Sequence, residues 1–331
     1  MLFHPTILAL YAGSLLVAFM ILYAAPQALQ ILRRWDLKSG SELQLTIERK
    51  TYLISTLLAY AFGFELLSFF LYIFTAEQLH PLFVGAMCAA GSLYVNPYGY
   101  PTLIMKLINF LLAGIWLIVN YVDHRGEDYP LIRIKYTFFL LLVPLIFLEA
   151  VLQANYFLRL KPDIITSCCG TLFSTGSNVL PSGVFLFPKV WAMAAFYITL
   201  PLTIGSGFYF FWKGRGGLVF SGLSALALLV SIGSIFSFIS LYIYELPTHA
   251  CPFCLLQKDY HYIGYPLYLT LFGGAITGIG TGVLMPFKKI KSLSVSLPGI
   301  QKKLALASIL CFLGFTAIVT VEILLSHLVL G

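Results

Sequence analysis

Residues 6–30 read TILALYAGSLLVAFMILYAAPQALQ, an apolar stretch without a single charged side chain. A helix needs about 20 such residues to cross the hydrocarbon core of a bilayer. Seven further stretches of comparable length follow, at 51–75, 101–122, 134–158, 188–212, 217–244, 263–286 and 305–329. These stretches are far too long for barrel strands, and only helices and closed barrels satisfy their backbone in lipid. We therefore predict an all-α bundle of about eight transmembrane helices.

The composition supports a polytopic membrane protein. Of the 331 residues, 60% are hydrophobic and 10% are charged, and the mean hydropathy is +0.91. A soluble domain is typically about a quarter charged. These values exclude a water-soluble enzyme, a disordered chain and a nucleic-acid-binding protein. The net charge of +7 is therefore interpreted first as membrane topology.

Basic residues concentrate on alternate loops. Fifteen of the 20 Lys and Arg residues lie in four such loops, at 31–50, 123–135, 213–215 and 287–304. By the positive-inside rule these loops face the cytoplasm, so we expect both termini on the outer side.

Three sequence regions are expected. Residues 1–125 form an N-terminal three-span extension, and residues 131–286 form a four-span bundle. Residues 287–331 hold a basic loop and the last span. Within the seventh span a glycine tract predicts close helix packing, with members Gly273, Gly274, Gly278, Gly280 and Gly282.

The predicted topology places the six cysteines in two locations, inside a span or on the outer side of the membrane. Cys311 lies inside the eighth span, where we expect ordinary packing. The other five fall on the outer, oxidising side, namely Cys88, Cys168, Cys169, Cys251 and Cys254. For Cys88, packing and a functional role stay equally open.

The stretch Cys251-Pro252-Phe253-Cys254 is the most informative motif. Two thiols separated by two residues can form a disulfide reversibly. We expect the motif to open a helix, whose N-terminus favours a thiolate on a solvent-facing Cys251. A c-type haem would need His after the second Cys, where Leu255 stands, and a zinc ribbon would need a second C-x-x-C. Redox chemistry is favoured, and no metal site is assigned. A soft-metal relay using Cys168, Cys169, His249 and His261, or simple packing, stays open.

The stretch CPFCLLQK, residues 251–258, resembles the Cys-Pro-Leu-Cys-apolar-apolar-Gln-Arg segment of DsbB-type disulfide-generating proteins. Upstream, PDIITSCCGTLFS at 162–174 is similar to the Ser-Cys-Gly loop of vitamin K epoxide reductase homologues. The order of elements agrees across residues 131–286. Two features depart from the family. Cys168 and Cys169 are adjacent, so they form either a vicinal disulfide or a pair with Cys88, and residues 257–262 separate the motif from the next apolar helix.

The resemblance implies a quinone-linked membrane thiol–disulfide oxidoreductase. Cys168 and Cys169 would exchange with a thioredoxin-like periplasmic or extracytoplasmic protein and pass electrons to Cys251. Cys254 would face ubiquinone or menaquinone. Beside the quinone we expect Lys258, with Gln257 and His261 as further contacts. The expected location is a bacterial-type inner (plasma) membrane, with multiple passes and the redox site facing the periplasm or exterior.

Three carboxyl groups lie within apolar spans, those of Glu65, Glu149 and Glu322. An intramembrane acid is by default a functional hypothesis. Together with His249 these groups are candidates for a proton path. The alternative is a neutral Glu hydrogen-bonded between helices.

Two other functions stay open from the sequence. One is a non-catalytic quinone-binding or structural anchor subunit of a respiratory complex. The other is a soft-metal transporter or chaperone that uses the outer cysteines and histidines.

Overall fold

A computed structural model describes residues 3–36, 41–126, 128–161, 189–247 and 249–328. Within these ranges the chain is helical and contains no strand. The helices are α1 (Pro5–Arg34), α2 (Glu42–Leu79), α3 (Ala89–Tyr94), α4 (Gly99–Asp123), α5 (Ile132–Leu158), α6 (Lys189–Lys213), α7 (Gly217–Ser234), α8 (Ser240–Tyr244), α9 (Gly264–Val283) and α10 (Ser296–Leu325).

Eight helical segments among the described residues are long and apolar enough to cross a membrane. The prediction of an all-α membrane bundle is therefore confirmed, and the chain is a multi-pass membrane protein. Large apolar side chains such as Leu15 and Leu141 are 69% and 62% exposed, as expected for helix faces that contact lipid. The side of the membrane on which each terminus lies stays a prediction.

The chain divides into two compact units. Unit 1 contains the described parts of 1–75, 95–161 and 288–297, and unit 2 contains those of 76–94, 162–287 and 298–331. One division between the units falls between residues 287 and 288, beside the boundary predicted at 286–287, whereas none falls near 125–131. Helix α5 lies in unit 1 and most of α10 in unit 2, because contacts in space, and not order along the chain, define a compact unit.

Unit 1 has an aromatic centre. The ring centroids of Phe62 and Trp116 are 4.7 Å apart, and Phe139 lies 6.3 Å from Phe62. The indole of Trp116 donates a hydrogen bond to the carbonyl of Lys135 at 3.0 Å, so this ring joins α4 to α5. All three rings are fully buried.

One end of unit 1 contains a fully buried ion pair. Lys135 Nζ lies 2.5 Å from Asp123 Oδ2, and neither side chain is exposed. Lys135 also donates to Ser55 Oγ at 3.0 Å, and Asp123 accepts the backbone N–H of Leu131 at 2.9 Å. The pair therefore ties α2, α4 and α5 together, and its charges compensate each other inside the bundle.

In unit 2, small residues allow helices α7, α9 and α10 to approach closely. A Cβ added to Gly278 would collide with both Ser224 and Ser308. Ser308 Oγ donates to the carbonyl of Gly274 at 2.7 Å. The predicted packing role of the glycine tract is confirmed at these positions.

A π-helical turn at Ile235–Ile239 joins α7 to α8. Ser240 Oγ donates to the carbonyl of Ile235 at 2.7 Å, which provides a hydrogen bond within this wider turn. Such turns are rare and occur frequently at functional sites. Here the turn leads through α8 to the segment that carries Cys251.

Removing one charge of the Lys135–Asp123 pair should be more harmful than removing both. Asp123→Asn leaves the buried Lys135 ammonium without a counter-charge. We therefore expect the free energy of unfolding to fall by about 3–5 kcal/mol. Adding Lys135→Met removes the stranded charge and should recover most of that loss. Chemical denaturation of the purified protein in detergent measures both values. Equal destabilisation by the single and double substitutions would contradict this role.

Candidate functional site

The segment with Cys251 and Cys254 lies between α8 and α9. Cys254–Leu256 is a single 3-10 turn, and α9 begins only at Gly264. The expectation that the motif opens a long helix with Cys251 facing solvent is wrong. Cys251 is fully buried and Cys254 is 4% exposed. The reason is local, because the polar residues 257–262 turn the chain, with His261 and Tyr262 in the left-handed region at φ 53° and 57°.

Two tyrosines hold the backbone of the motif. Tyr244, the last residue of α8, donates its hydroxyl to the carbonyl of Cys251 at 2.5 Å. Tyr268, in the second turn of α9, donates to the carbonyl of Pro252 at 2.6 Å. Because buried carbonyls need partners, these bonds allow a non-helical segment to lie inside unit 2. They also fix the position from which both sulfurs project.

Cys88 lies beside the motif. Its Sγ is 3.5 Å from Cys251 Sγ, and the sulfurs of Cys88, Cys251 and Cys254 all lie within 4.8 Å of one another. A disulfide bond has an S–S length of about 2.05 Å, so Cys88 and Cys251 are in non-bonded contact. All three side chains are buried. We call these residues the cysteine trio.

A carboxylate and an amide fix Cys88 next to Cys251. Glu77 Oε2 accepts the backbone N–H of Ala89 at 2.7 Å, and its Oε1 accepts from Gln257 Nε2 at 2.8 Å. Gln257 Nε2 also donates to the carbonyl of Met87 at 2.8 Å. The residues on both sides of Cys88 are therefore bonded to this pair, which we call the Glu77–Gln257 clamp.

Imidazole and phenol groups adjoin the other end of the trio. His249 Nε2 lies 3.3 Å from Cys254 Sγ, and the His249 ring packs against Tyr244 at 4.9 Å. Burial raises the pKa of the Tyr260 phenol, and nearby Cys254 and Asp259 raise it further. Tyr260 therefore stays protonated near neutral pH, while His249 is the group in contact with the sulfur of Cys254.

One further cysteine lies among the described residues. Cys311 lies in α10, where it is half-buried beside the glycine-rich face of α9. Cys168 and Cys169, predicted to be the shuttle pair, lie outside the described residues. Their pairing, and a pairing with Cys88, stay predictions.

The residues expected beside a quinone are placed in different environments. Gln257 is engaged in the clamp, whereas Lys258 and His261 are exposed. An apolar cavity of about 600 Å³ lies elsewhere in unit 2, between α6 and α7. Its described lining residues are Trp191, Ala192, Ala195, Leu229, Val230, Gly233 and Ser234.

One lining residue of that cavity carries a polar side chain. Ser234 is 1% exposed, and its Oγ is buried without a hydrogen-bond partner among the described residues. The other side chains of the described lining are apolar apart from the Trp191 indole N–H, and such a surface fits the ring of a quinone. The described lining contains none of the trio.

The three intramembrane carboxyl groups do not form one cluster. Glu65 and Glu149 are buried in unit 1, whereas Glu322 is half-exposed on α10 in unit 2. Glu149 is ion-paired at 2.6 Å with Lys106. Lys106 lies within α4, where it is 2% exposed.

Sequence reasoning missed the Glu77–Gln257 clamp and the Lys106–Glu149 pair. Glu77 stands 11 positions before Cys88, and no local pattern marks it as a partner of that segment. A lysine inside an apolar helix was a usable signal for the second pair, because such a residue requires a buried counter-charge.

Two kinds of chemistry suit the trio. Three sulfurs in mutual reach can exchange disulfide bonds, since a thiolate can attack either of two neighbouring sulfurs. The same sulfurs, with His249 beside Cys254, are also the donor types that soft metal ions prefer. Comparison with known proteins gives no match to a family model, a curated protein or a solved structure. The functional argument therefore depends on this geometry.

Loosening the clamp should separate Cys88 from Cys251. Glu77→Ala removes the acceptor for Ala89 and Gln257, and a hydrogen bond to a charged group contributes about 1.5–3 kcal/mol. We expect the Cys88–Cys251 disulfide to form about tenfold more slowly under a mild oxidant, measured by mass spectrometry of quenched peptides. Glu42→Ala, an exposed carboxylate at the start of α2, is the control. An unchanged rate in Glu77→Ala would show that the clamp does not position Cys88.

Proposed function

We propose that this protein is an integral membrane thiol–disulfide oxidoreductase whose reactive centre is the cysteine trio. The observation that carries the proposal is the 3.5 Å separation of Cys88 Sγ and Cys251 Sγ, with Cys254 Sγ in the same cluster. In the sequence Cys88 and Cys251 are 163 residues apart. Fixing distant thiols side by side in a buried site is typical of a centre in which disulfides exchange.

Disulfide exchange within the trio requires no outside oxidant or reductant. A Cys88 thiolate attacks Cys251 of a Cys251–Cys254 disulfide, the Cys88–Cys251 bond forms, and Cys254 leaves as a thiolate. The number of electrons in the trio does not change. His249, at 3.3 Å from Cys254 Sγ, can supply the proton that converts the leaving thiolate to a thiol.

Net oxidation requires an electron donor and an acceptor outside the trio. We propose a thioredoxin-like extracytoplasmic protein as the thiol donor, with Cys168 and Cys169 as the shuttle, as the resemblance to the DsbB and vitamin K epoxide reductase type implies. The trio is buried, so a shuttle segment would provide the route between it and a soluble partner. The proposed location is a bacterial-type inner membrane with the exchange face toward the periplasm or exterior.

For the acceptor we propose a membrane quinone, ubiquinone or menaquinone. A quinone accepts two electrons and two protons, which matches the oxidation of a dithiol. In this chain Trp191 and Leu229, which line the α6–α7 cavity, would cover the ring. Lys258 and His261, exposed near the trio, are the resemblance-based alternative for the same role.

A soft-metal centre is the second candidate function. It is favoured by one observation, that the three sulfurs all lie within 4.8 Å of one another, to which His249 adds a nitrogen donor near Cys254. A thiolate-rich set of this kind suits zinc or monovalent copper. A transporter or chaperone for such an ion would use the same residues without changing their oxidation state.

Replacing Cys254 separates these functions. In an oxidoreductase, Cys254→Ser removes the thiol that resolves disulfides of Cys251, so Cys88–Cys251 and mixed disulfides should accumulate in untreated cells. Reductant-sensitive bands on non-reducing gels measure this, with Cys311→Ser as the control. A metal centre predicts zinc or copper in the purified wild-type protein, lost in Cys254→Ser without new disulfides. A structural anchor predicts no change, and either of the last two results contradicts the redox proposal.

The acceptor site is tested independently of the trio. Ala195→Trp fills the α6–α7 cavity, and we expect reoxidation of the trio by added quinone to slow at least tenfold while exchange with a small-molecule disulfide is unchanged. Leu226→Trp places the same ring on an exposed position of α7 outside the described lining and is the control. Normal quinone-dependent reoxidation in Ala195→Trp would exclude this cavity.

A further inference from the structure

Unit 1 buries three ionisable side chains from three helices. Glu65 on α2, Lys106 on α4 and Glu149 on α5 are 4%, 2% and 2% exposed. Glu65 is close enough to interact electrostatically with both other groups. None of these residues takes part in the proposed redox centre, which lies in unit 2.

Hydrogen bonds distinguish the two carboxyl groups. Lys106 Nζ donates to Glu149 Oε1 and to Ser68 Oγ, each at 2.6 Å. Asn109 Nδ2 donates to Glu149 Oε2, also at 2.6 Å. Both oxygens of Glu149 are therefore engaged by donors, which stabilises its ionised form. Glu65 makes no hydrogen bond with any described residue, although it is almost fully buried.

The charges of this cluster do not balance when all three groups are ionised. Two carboxylates face one ammonium, which leaves one net negative charge in the membrane interior. The other titratable groups nearby are the phenols of Tyr72 and Tyr156, which are neutral. Lys135 and Asp123 compensate each other at the far side of the aromatic centre. On α1, Ser14 Oγ accepts a hydrogen bond from Gln153 Nε2, and the charged residues of this helix, Arg33 and Arg34, lie in its last turn.

We propose that Glu65 is a reversible proton-binding site inside unit 1. Its carboxylate takes up one proton to become the neutral acid and releases it again, while Lys106 and Glu149 remain an ion pair. A proton is the ligand that fits, because the Lys106 ammonium already occupies the position that a metal cation would need. The side-chain amide oxygen of buried Asn109, Oδ1, has no hydrogen-bond partner among the described residues and is an available acceptor in the same cluster.

The surroundings of Glu65 define the side from which the proton arrives. Phe62, one turn earlier on α2, packs against Trp116 and Phe139 and closes the side toward Asp123 with apolar rings. In the opposite direction along α2, the polar residues Ser68 and Tyr72 follow Glu65 at helical spacing. The Tyr72 hydroxyl donates a hydrogen bond to the carbonyl of Gly99 at 3.0 Å. Proton exchange therefore occurs through the Tyr72 side. This site is independent of the proposed thiol chemistry.

Infrared difference spectroscopy of the full chain in lipid tests the proposal. The carbonyl stretch of a protonated carboxylic acid, which shifts in deuterated water, should be present at neutral pH and be lost in Glu65→Gln. It should also be lost in Glu149→Gln, because Glu65 then becomes the sole counter-ion of Lys106 and ionises. In Lys106→Met the signal should roughly double, since both acids would then be neutral.

Glu322→Gln, in unit 2, is the matched control and should leave the signal unchanged. Size-exclusion profiles of each variant establish that it is folded. If Glu149→Gln does not fold, the signals of Glu65→Gln and Lys106→Met still test whether Glu65 binds the proton. A wild-type signal that survives Glu65→Gln, or a wild type that shows no Glu65-dependent signal at any pH, would overturn the proposal.

Discussion

A polar group that leaves water inside a membrane protein must find its partner within the protein, and this constraint governs both units. The helices satisfy their own backbones, but the chain between α8 and α9 does not, and two tyrosine hydroxyls bond to its carbonyls. The same requirement pairs Lys135 with Asp123 and Lys106 with Glu149. Among the described residues, Ser234 Oγ is buried without a hydrogen-bond partner, and Glu65 is buried without a hydrogen bond.

For the cysteine trio, this constraint sets how the site can work. Thiols are weakly polar and tolerate burial, so burying three of them together costs little free energy. The Glu77–Gln257 clamp then fixes the segment of Cys88 through the backbone of its neighbours. His249 lies beside Cys254 at one end of the trio. Thiols held this way are buried from solvent and lie in contact with each other.

Local sequence patterns were sufficient to predict the transmembrane spans, but they were insufficient to predict how the cysteine trio is arranged. The apolar stretch at 134–158 corresponds to α5 at Ile132–Leu158, because hydropathy and length alone decide whether a helix can cross a bilayer. The spacing of Cys251 and Cys254 predicted redox chemistry, which stays a prediction. Their burial was not predicted, since it results from the turn at 257–262 and from bonds to Tyr244 and Tyr268. Nor was the proximity of Cys88, because no pattern links residues 163 positions apart.

The most direct measurement is the disulfide composition of the wild-type protein equilibrated in glutathione buffers of different redox poise, mapped by mass spectrometry. The Cys88–Cys251 and Cys251–Cys254 disulfides contain the same number of electrons. If the three sulfurs exchange disulfides, both of these bonds appear, and their sum falls as the buffer becomes more reducing. A protein in which Cys88 never enters a disulfide with Cys251 would contradict exchange within the trio.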